Sequence, residues 1–152
     1  MARILKTFSL IVLVISLTLG CLTYLLCLRI WARLHGTALL HDVGHRVGIW
    51  WGRAVMATVP GWSYTLHGIE NLPPTNEAVM IVSNHESATD IFLMYVLGIQ
   101  FRWLGKEAMF KIPWLGRAMG WCGYVSVRRG DKGSHAEALR RSAAILASGT
   151  SM

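Results

Sequence analysis

Phe8 to Leu28 (FSLIVLVISLTLGCLTYLLCL) is a run of 21 residues without a charge, and it constrains this chain more than any other feature. As a helix rising about 1.5 Å per residue, it is long enough to cross a hydrocarbon core of ~30 Å. Arg3 and Lys6 flank one end, and Arg29 and Arg33 the other. A secretory signal peptide shares the basic start, but its apolar region is shorter and a small-x-small cleavage site should follow it. No clean site precedes Arg29, so the run is expected to be a retained membrane anchor. Cations after the run (Arg29, Arg33, Arg46, Arg53) slightly outnumber those before it (Arg3, Lys6 and the terminal amine). That bias points the rest of the chain into the cytoplasm, with the anchor in the cell inner membrane.

Composition agrees. Of 152 residues, 53% are hydrophobic and only 15% charged, against roughly 25% charged in average soluble domains. Disorder is excluded, and the length suits about one domain. The net charge of +7 is unevenly spread. Nine Lys and Arg lie between Arg102 and Arg141, and none between Ala54 and Phe101. Basic charge beside greasy segments favours a membrane surface or a phosphate-bearing substrate over nucleic acid. Cys21, Cys27 and Cys122 lack disulfide or zinc spacing and read as reduced thiols packed as small hydrophobes. No metal site is expected.

Val47 to Val59 is too short, and interrupted by Arg53, to span a bilayer. With Trp50, Trp51 and Trp62 it suits a helix in the headgroup layer, the rival being a core helix of the domain. Residues 1–62 are thus expected to form an anchor (span about 8–28) with an interfacial helix, and residues 63–152 a separate domain. Trp62 to Gly68 alternates weakly and reads as a short strand. Glu70 to Glu77 is a turn-rich loop. Ala78 to Ser83 reads as a buried strand, Ile91 to Leu97 as a helix, and Phe101 to Leu104 as a short strand. Glu107 to Met119 mixes helix with a turn at Pro113, and Gly123 to Val127 is another strand. Ser134 to Ala147 places Ala136, Leu139, Ala143 and Leu146 on one helical face. Strands alternating with helices give an α/β fold.

The stretch Asn84-His85-Glu86-Ser87-Ala88-Thr89-Asp90 follows the apolar strand and opens the next helix. Polar clusters at the carboxyl end of such a strand are where α/β folds place their sites. If the turn folds back, Asp90 accepts from one ring nitrogen of His85, and the other can take a proton from an attacking hydroxyl. Spacing alone favours the plainer reading, in which Ser87, Thr89 and Asp90 are helix caps and His85 is a polar loop residue.

Two further stretches extend the pattern: Lys106-Glu107 followed by Phe110, Lys111, Pro113 and Gly116, and then Gly123 through Arg129. With the first stretch they make the region from about Tyr64 onward resemble the glycerolipid acyltransferase family, specifically its bacterial 1-acyl-sn-glycerol-3-phosphate acyltransferases. The resemblance implies a fatty acyl transfer from acyl-ACP or acyl-CoA to the sn-2 hydroxyl of lysophosphatidic acid, giving phosphatidic acid. It implies His85 as general base and Asp90 as the group that holds it. Arg129 would bind the acceptor's phosphate, with Lys106 as a weaker phosphate contact and Gly123 opening the substrate-binding motif. Lys106 reads equally well as a solvated surface lysine. Arg128 falls outside the pattern and should point to the opposite face of an extended strand. No cofactor is implied beyond the acyl thioester; the partners are the membrane lipid and acyl carrier protein or coenzyme A.

The family's later phosphate-binding motif, F-P-E-G-T-R, is not in the chain, and Ala143 to Met152 aligns with the helix end and turn before it. The expectation is therefore a membrane helix followed by a partial α/β domain, a C-terminally truncated form with an unpaired sheet edge. Alternatives are an acyltransferase for another lysolipid, such as lyso-ornithine lipid, or an inactive membrane-bound remnant.

Overall fold

The computed structural model describes residues 2–36, 40–72, 74 and 77–152, with side chains omitted before Thr7 and at Leu40. Helix α1 (Ala2–His35) contains the uncharged run and continues past it. It stops at Gly36, whose φ of 65° suits a glycine after a helix C-terminus. Thr7–His35 is the one helix, among the described residues, long and apolar enough to cross a membrane. Its first half is bare: Phe8, Ile11, Val12, Leu13, Ile15 and Leu19 are all exposed. Its second half is not, for Cys21, Leu25 and Ala32 are buried. Leu25 packs in a cluster with Ala118, Cys122 and Tyr124.

Helix α2 (Leu40–Thr58) is longer than the expected interfacial segment. Trp50 is exposed, as a headgroup-layer helix requires, but Ile49, Val55 and Met56 are buried. One reason is a stripe of glycines four residues apart. A Cβ on Gly44 would meet the Cys122 sulfur at 2.8 Å, one on Gly48 the Tyr95 ring at 2.8 Å, and one on Gly52 the Tyr95 Cβ at 2.6 Å. Helix α3 (Thr89–Val96), which carries Tyr95, can therefore lie close against α2. Trp51 packs its ring against Phe92 and Tyr95 of α3 and donates its indole N–H to Thr18 of α1 at 3.0 Å.

The polar residues that break up α2 in the sequence serve this packing. His45 is wholly buried. Its Nε2 lies 3.1 Å from the Ile99 carbonyl, which can only accept, so Nε2 donates. Nδ1 then accepts from the Tyr124 hydroxyl at 2.9 Å, and that oxygen accepts from Tyr95 at 2.9 Å. Burial pushes the His45 pKa down to about 4. Asp42 binds the guanidinium of Arg102, which is buried rather than part of the basic surface.

Strands β1 (Leu104–Lys106) and β2 (Val125–Val127) pair in parallel, Leu104 opposite Val125 and Lys106 opposite Val127. Between them lie α4 (Glu107–Phe110) and α5 (Leu115–Trp121). The turn joining those helices needs Gly116, where a Cβ would stand 1.9 Å from the Phe110 carbonyl oxygen. On the other edge of the β1 chain, Ser151 bridges Phe101 in parallel. Met152 in turn donates to Val79 and accepts from Ile81, the bonding of a parallel neighbour. The extended backbone thus runs in the order 125–127, 101–106, 151–152, 79–81, with every segment pointing the same way. Helix α6 (Lys132–Ala147) covers it through Ala138, which clusters with Val125 and Met152.

Several expectations are corrected. Trp62 to Gly68 makes no strand; it is exposed throughout and finds no ladder partner among the described residues. Ala78 to Ser83 is extended but not buried, since Met80 and Val82 face outward on alternate positions. Ser151 and Met152 fill only the first part of the edge expected to be open, bonding Arg102, Val79 and Ile81 ahead of β1. The inward face of α6 runs through Ala138, Ser142 and the partly buried Ile145 and Leu146, so Leu146 lies inward as expected, whereas Leu139 is 69% exposed. Cys27 is exposed, unlike Cys21 and Cys122.

Candidate active site

Because all four extended segments are parallel, the residues that follow their carboxyl ends emerge on one edge of the layer. His85 follows 79–81, Lys106 closes β1, and Arg128 and Arg129 follow β2. This is the edge at which parallel α/β layers hold their ligands.

The turn from residue 83 to residue 90 is built around one carboxylate oxygen. Asp90 Oδ2 accepts from the backbone N–H of Glu86 at 2.8 Å and of Ser87 at 2.9 Å. The same oxygen lies 3.0 Å from His85 Nδ1. Ser87 Oγ accepts from the Thr89 N–H at 2.9 Å. The N-cap of α3 is Ala88 and carries no side-chain cap bond, so Ser87 braces the first helical N–H from the position before the cap, and Asp90 serves the turn ahead of its helix. The Ser87 amide, with help from Glu86 and His85, holds the Asp90 carboxyl below its usual pKa. An ionised carboxylate only accepts, so His85 Nδ1 must donate and Nε2 carries the lone pair. No described residue bonds to Nε2, and the His85 side chain is 61% exposed. A positioned imidazole with an open basic nitrogen is the arrangement of a general base.

Lys106 and Arg129 are both exposed and without a bonded partner among the described residues. Arg128 is committed elsewhere. It grips Glu107 with two hydrogen bonds, Nε to Oε2 at 2.9 Å and Nη2 to Oε1 at 2.7 Å, and also reaches Asp131. Arg128, then Lys111, brings the Glu107 pKa down to about 2. Sequence reasoning missed this clamp; Glu107 and Arg128 lie 21 residues apart and meet only because β1 and β2 are neighbours. Gly123 sits in the turn before β2 with φ of 74°, and a Cβ there would press the His41 ring at 3.0 Å. Its place is therefore in packing against α2, away from the free cations. No bond or ring contact joins His85 to Lys106, Gly123 or Arg129 among the described residues.

Burial pushes the Cys122 thiol up to about 11, so it stays protonated at neutral pH. Among the described residues no three His, Cys, Asp or Glu cluster as metal ligands.

A family profile described as Acyltransferase matches residues 63–152. A chloroplastic 1-acyl-sn-glycerol-3-phosphate acyltransferase of Arabidopsis thaliana is 34% identical over 99 residues, which is 65% of this chain and 28% of that protein. A 1-acyl-sn-glycerol-3-phosphate acyltransferase of Chlamydomonas reinhardtii is 35% identical over 63% of this chain and 29% of its own length. A chloroplastic one of Brassica napus is 32% identical over 65% and 29%. The matched part of the chain spans under a third of each of these curated relatives. No solved structure matches.

Proposed function

The chain belongs to the acyltransferase family, and on that footing we propose that it transfers a fatty acyl group from a thioester to the sn-2 hydroxyl of lysophosphatidic acid. The observation that carries the reading is the His85–Asp90 pair, with Nδ1 held at 3.0 Å and Nε2 open. In the proposed step, Nε2 of His85 takes the proton of the acceptor hydroxyl as its oxygen attacks the thioester carbonyl carbon. The tetrahedral oxyanion collapses, the carbon–sulfur bond breaks, and the leaving thiolate takes the proton back from the imidazolium. Asp90 stabilises that imidazolium and keeps Nε2 aimed outward.

The acceptor's phosphate is assigned to Arg129, with Lys106 beside it. Both are unpaired cations on the same carboxyl-end edge as His85. A guanidinium matches a phosphate in two parallel bonds, which an ammonium does not. The choice of lysophosphatidic acid rests on this unpaired charge and on the names of the relatives. The proposed donor is acyl carrier protein or coenzyme A thioester, and the proposed location is the cytoplasmic side of the inner membrane, held there by α1.

The test is transfer of a labelled acyl group by membranes carrying the protein, offered lysophosphatidic acid or lyso-ornithine lipid. Product from lysophosphatidic acid alone supports the assignment. Product from lyso-ornithine lipid alone would move the chain to another lysolipid, and product from neither would refute transfer to both.

A further inference from the structure

A groove of about 770 Å³ runs between α1 and α2, lined by Leu13, Leu17, Gly20, Tyr24, Arg46 and Trp50 among others. Its volume is in the range of sites that take a lipid-sized molecule. Every lining group but one is apolar, aromatic or a small alcohol or thiol. The exception is Arg46. Its natural partner would be Asp42, one turn earlier on the same helix. That carboxylate is taken by Arg102, and no other described acid pairs with Arg46. A cation without a counter-ion thus borders an otherwise apolar trough.

The register of the two helices says which end is which. They are joined by four residues, Gly36 to Leu39, so they pack antiparallel. Trp51 meets Thr18, which puts Arg46, five residues earlier, roughly 8 Å nearer the Arg29 end of α1. From that level the trough extends along α1 to Leu13, where the helix is bare. Its charged end therefore lies toward the Arg29 flank of the apolar run, and its apolar end lies past the middle of that run.

We propose that this groove holds one anionic membrane phospholipid, its phosphate on Arg46 and an acyl chain lying along Leu17 and Gly20 toward Leu13. A second copy of the chain is disfavoured as occupant, because an apolar helix would strand the guanidinium without water or anion. None of the groove's lining residues comes from the His85 turn or from the β1 and β2 ends, so this lipid is distinct from the acyl acceptor.

The experiment is native mass spectrometry of the intact protein in detergent, titrated with phosphatidylglycerol or phosphatidylcholine. One phosphatidylglycerol should be retained per chain, about tenfold more tightly than phosphatidylcholine. Arg46→Ala should erase that preference, and Arg46→Lys should keep part of it. Gly20→Leu, at a position with nothing within 4 Å of a Cβ, should fill the trough and weaken retention of both lipids. Arg33→Ala, an exposed cation away from the groove, should change nothing. Equal retention of the two lipids by the unaltered protein would overturn the proposal, as would equal losses from Arg46→Ala and Arg33→Ala. So would dimers, free of lipid, that Gly20→Leu disperses; they would assign the groove to a second copy.

Discussion

Two arginines in sequence, Arg128 and Arg129, meet different fates. Arg128 spends its guanidinium on Glu107 and Asp131, while Arg129 keeps its own. Arg129→Ala should therefore raise the KM for lysophosphatidic acid by about ten- to a hundredfold, the scale of a lost charge-assisted contact, with little effect on the KM for the acyl donor. Arg128→Ala should instead act through the β1–β2 clamp, lowering thermal stability without a selective change in acceptor KM. If the acceptor KM follows Arg128 and ignores Arg129, the phosphate assignment is wrong. His45 supports a second prediction. Its folded pKa of about 4 lies below the ordinary 6.5, so folding favours the neutral ring. Above the unfolded value this stabilisation is fully present, and it fades as pH falls from about 6.5 toward 4, by up to ~3 kcal/mol. Melting in detergent at pH 7 and pH 5 should show the loss in the unaltered protein and a smaller one in His45→Gln. An equal loss in both would put the acid sensitivity elsewhere.

At the scale of elements, the α2 glycine stripe determines how closely α3 approaches. Gly52→Ala forces a Cβ to within 2.6 Å of Tyr95, and should cost about 1–3 kcal/mol. Gly120→Ala, with nothing within 4 Å of its Cβ and a helical backbone, should gain about 0.5–1 kcal/mol. Paired denaturant titrations decide the matter, and a harmless Gly52→Ala would contradict the close packing. The same elements show what the sequence could and could not reveal. The apolar run declared α1 because length and hydropathy are local properties, and the turn holding His85 and Asp90 was legible because its members are five residues apart. The inward faces of α2 and α6 were not fully legible from hydrophobicity, because shape also decides them. Gly48 and Ser142 lie inward where small residues fit, and Trp50 and Leu139 face outward. Likewise His45 reads as an interruption of an apolar segment until Ile99 and Tyr124, distant in sequence, close around it.

For the molecule as a whole, α1 has two duties along its length. The bare half from Phe8 to Leu19 offers an apolar surface, and the half from Cys21 onward belongs to the same core as α5. If the bare half is inserted in the bilayer, the intact protein should stay with membranes in high salt, which screens surface electrostatics, and come off only in detergent. Release by salt alone would show that α1 lies on the surface. Removing residues 2–28 should do more than detach the protein, since it takes Leu22 and Leu25 from the core; the remainder should melt at a lower temperature or aggregate. On the proposed reading, the parallel layer, the His85 turn and the apolar helix α1 serve one output, acyl transfer at a lipid surface. The most direct measurement is the rate of acyl transfer to lysophosphatidic acid by membranes holding equal amounts of the unaltered protein, His85→Ala and Asp90→Asn. The account predicts a fall of about 10²–10⁴-fold for His85→Ala, and a large fall for Asp90→Asn through loss of the imidazole's orientation. A His85→Ala protein that is folded, membrane-bound and transfers at near the normal rate would contradict it.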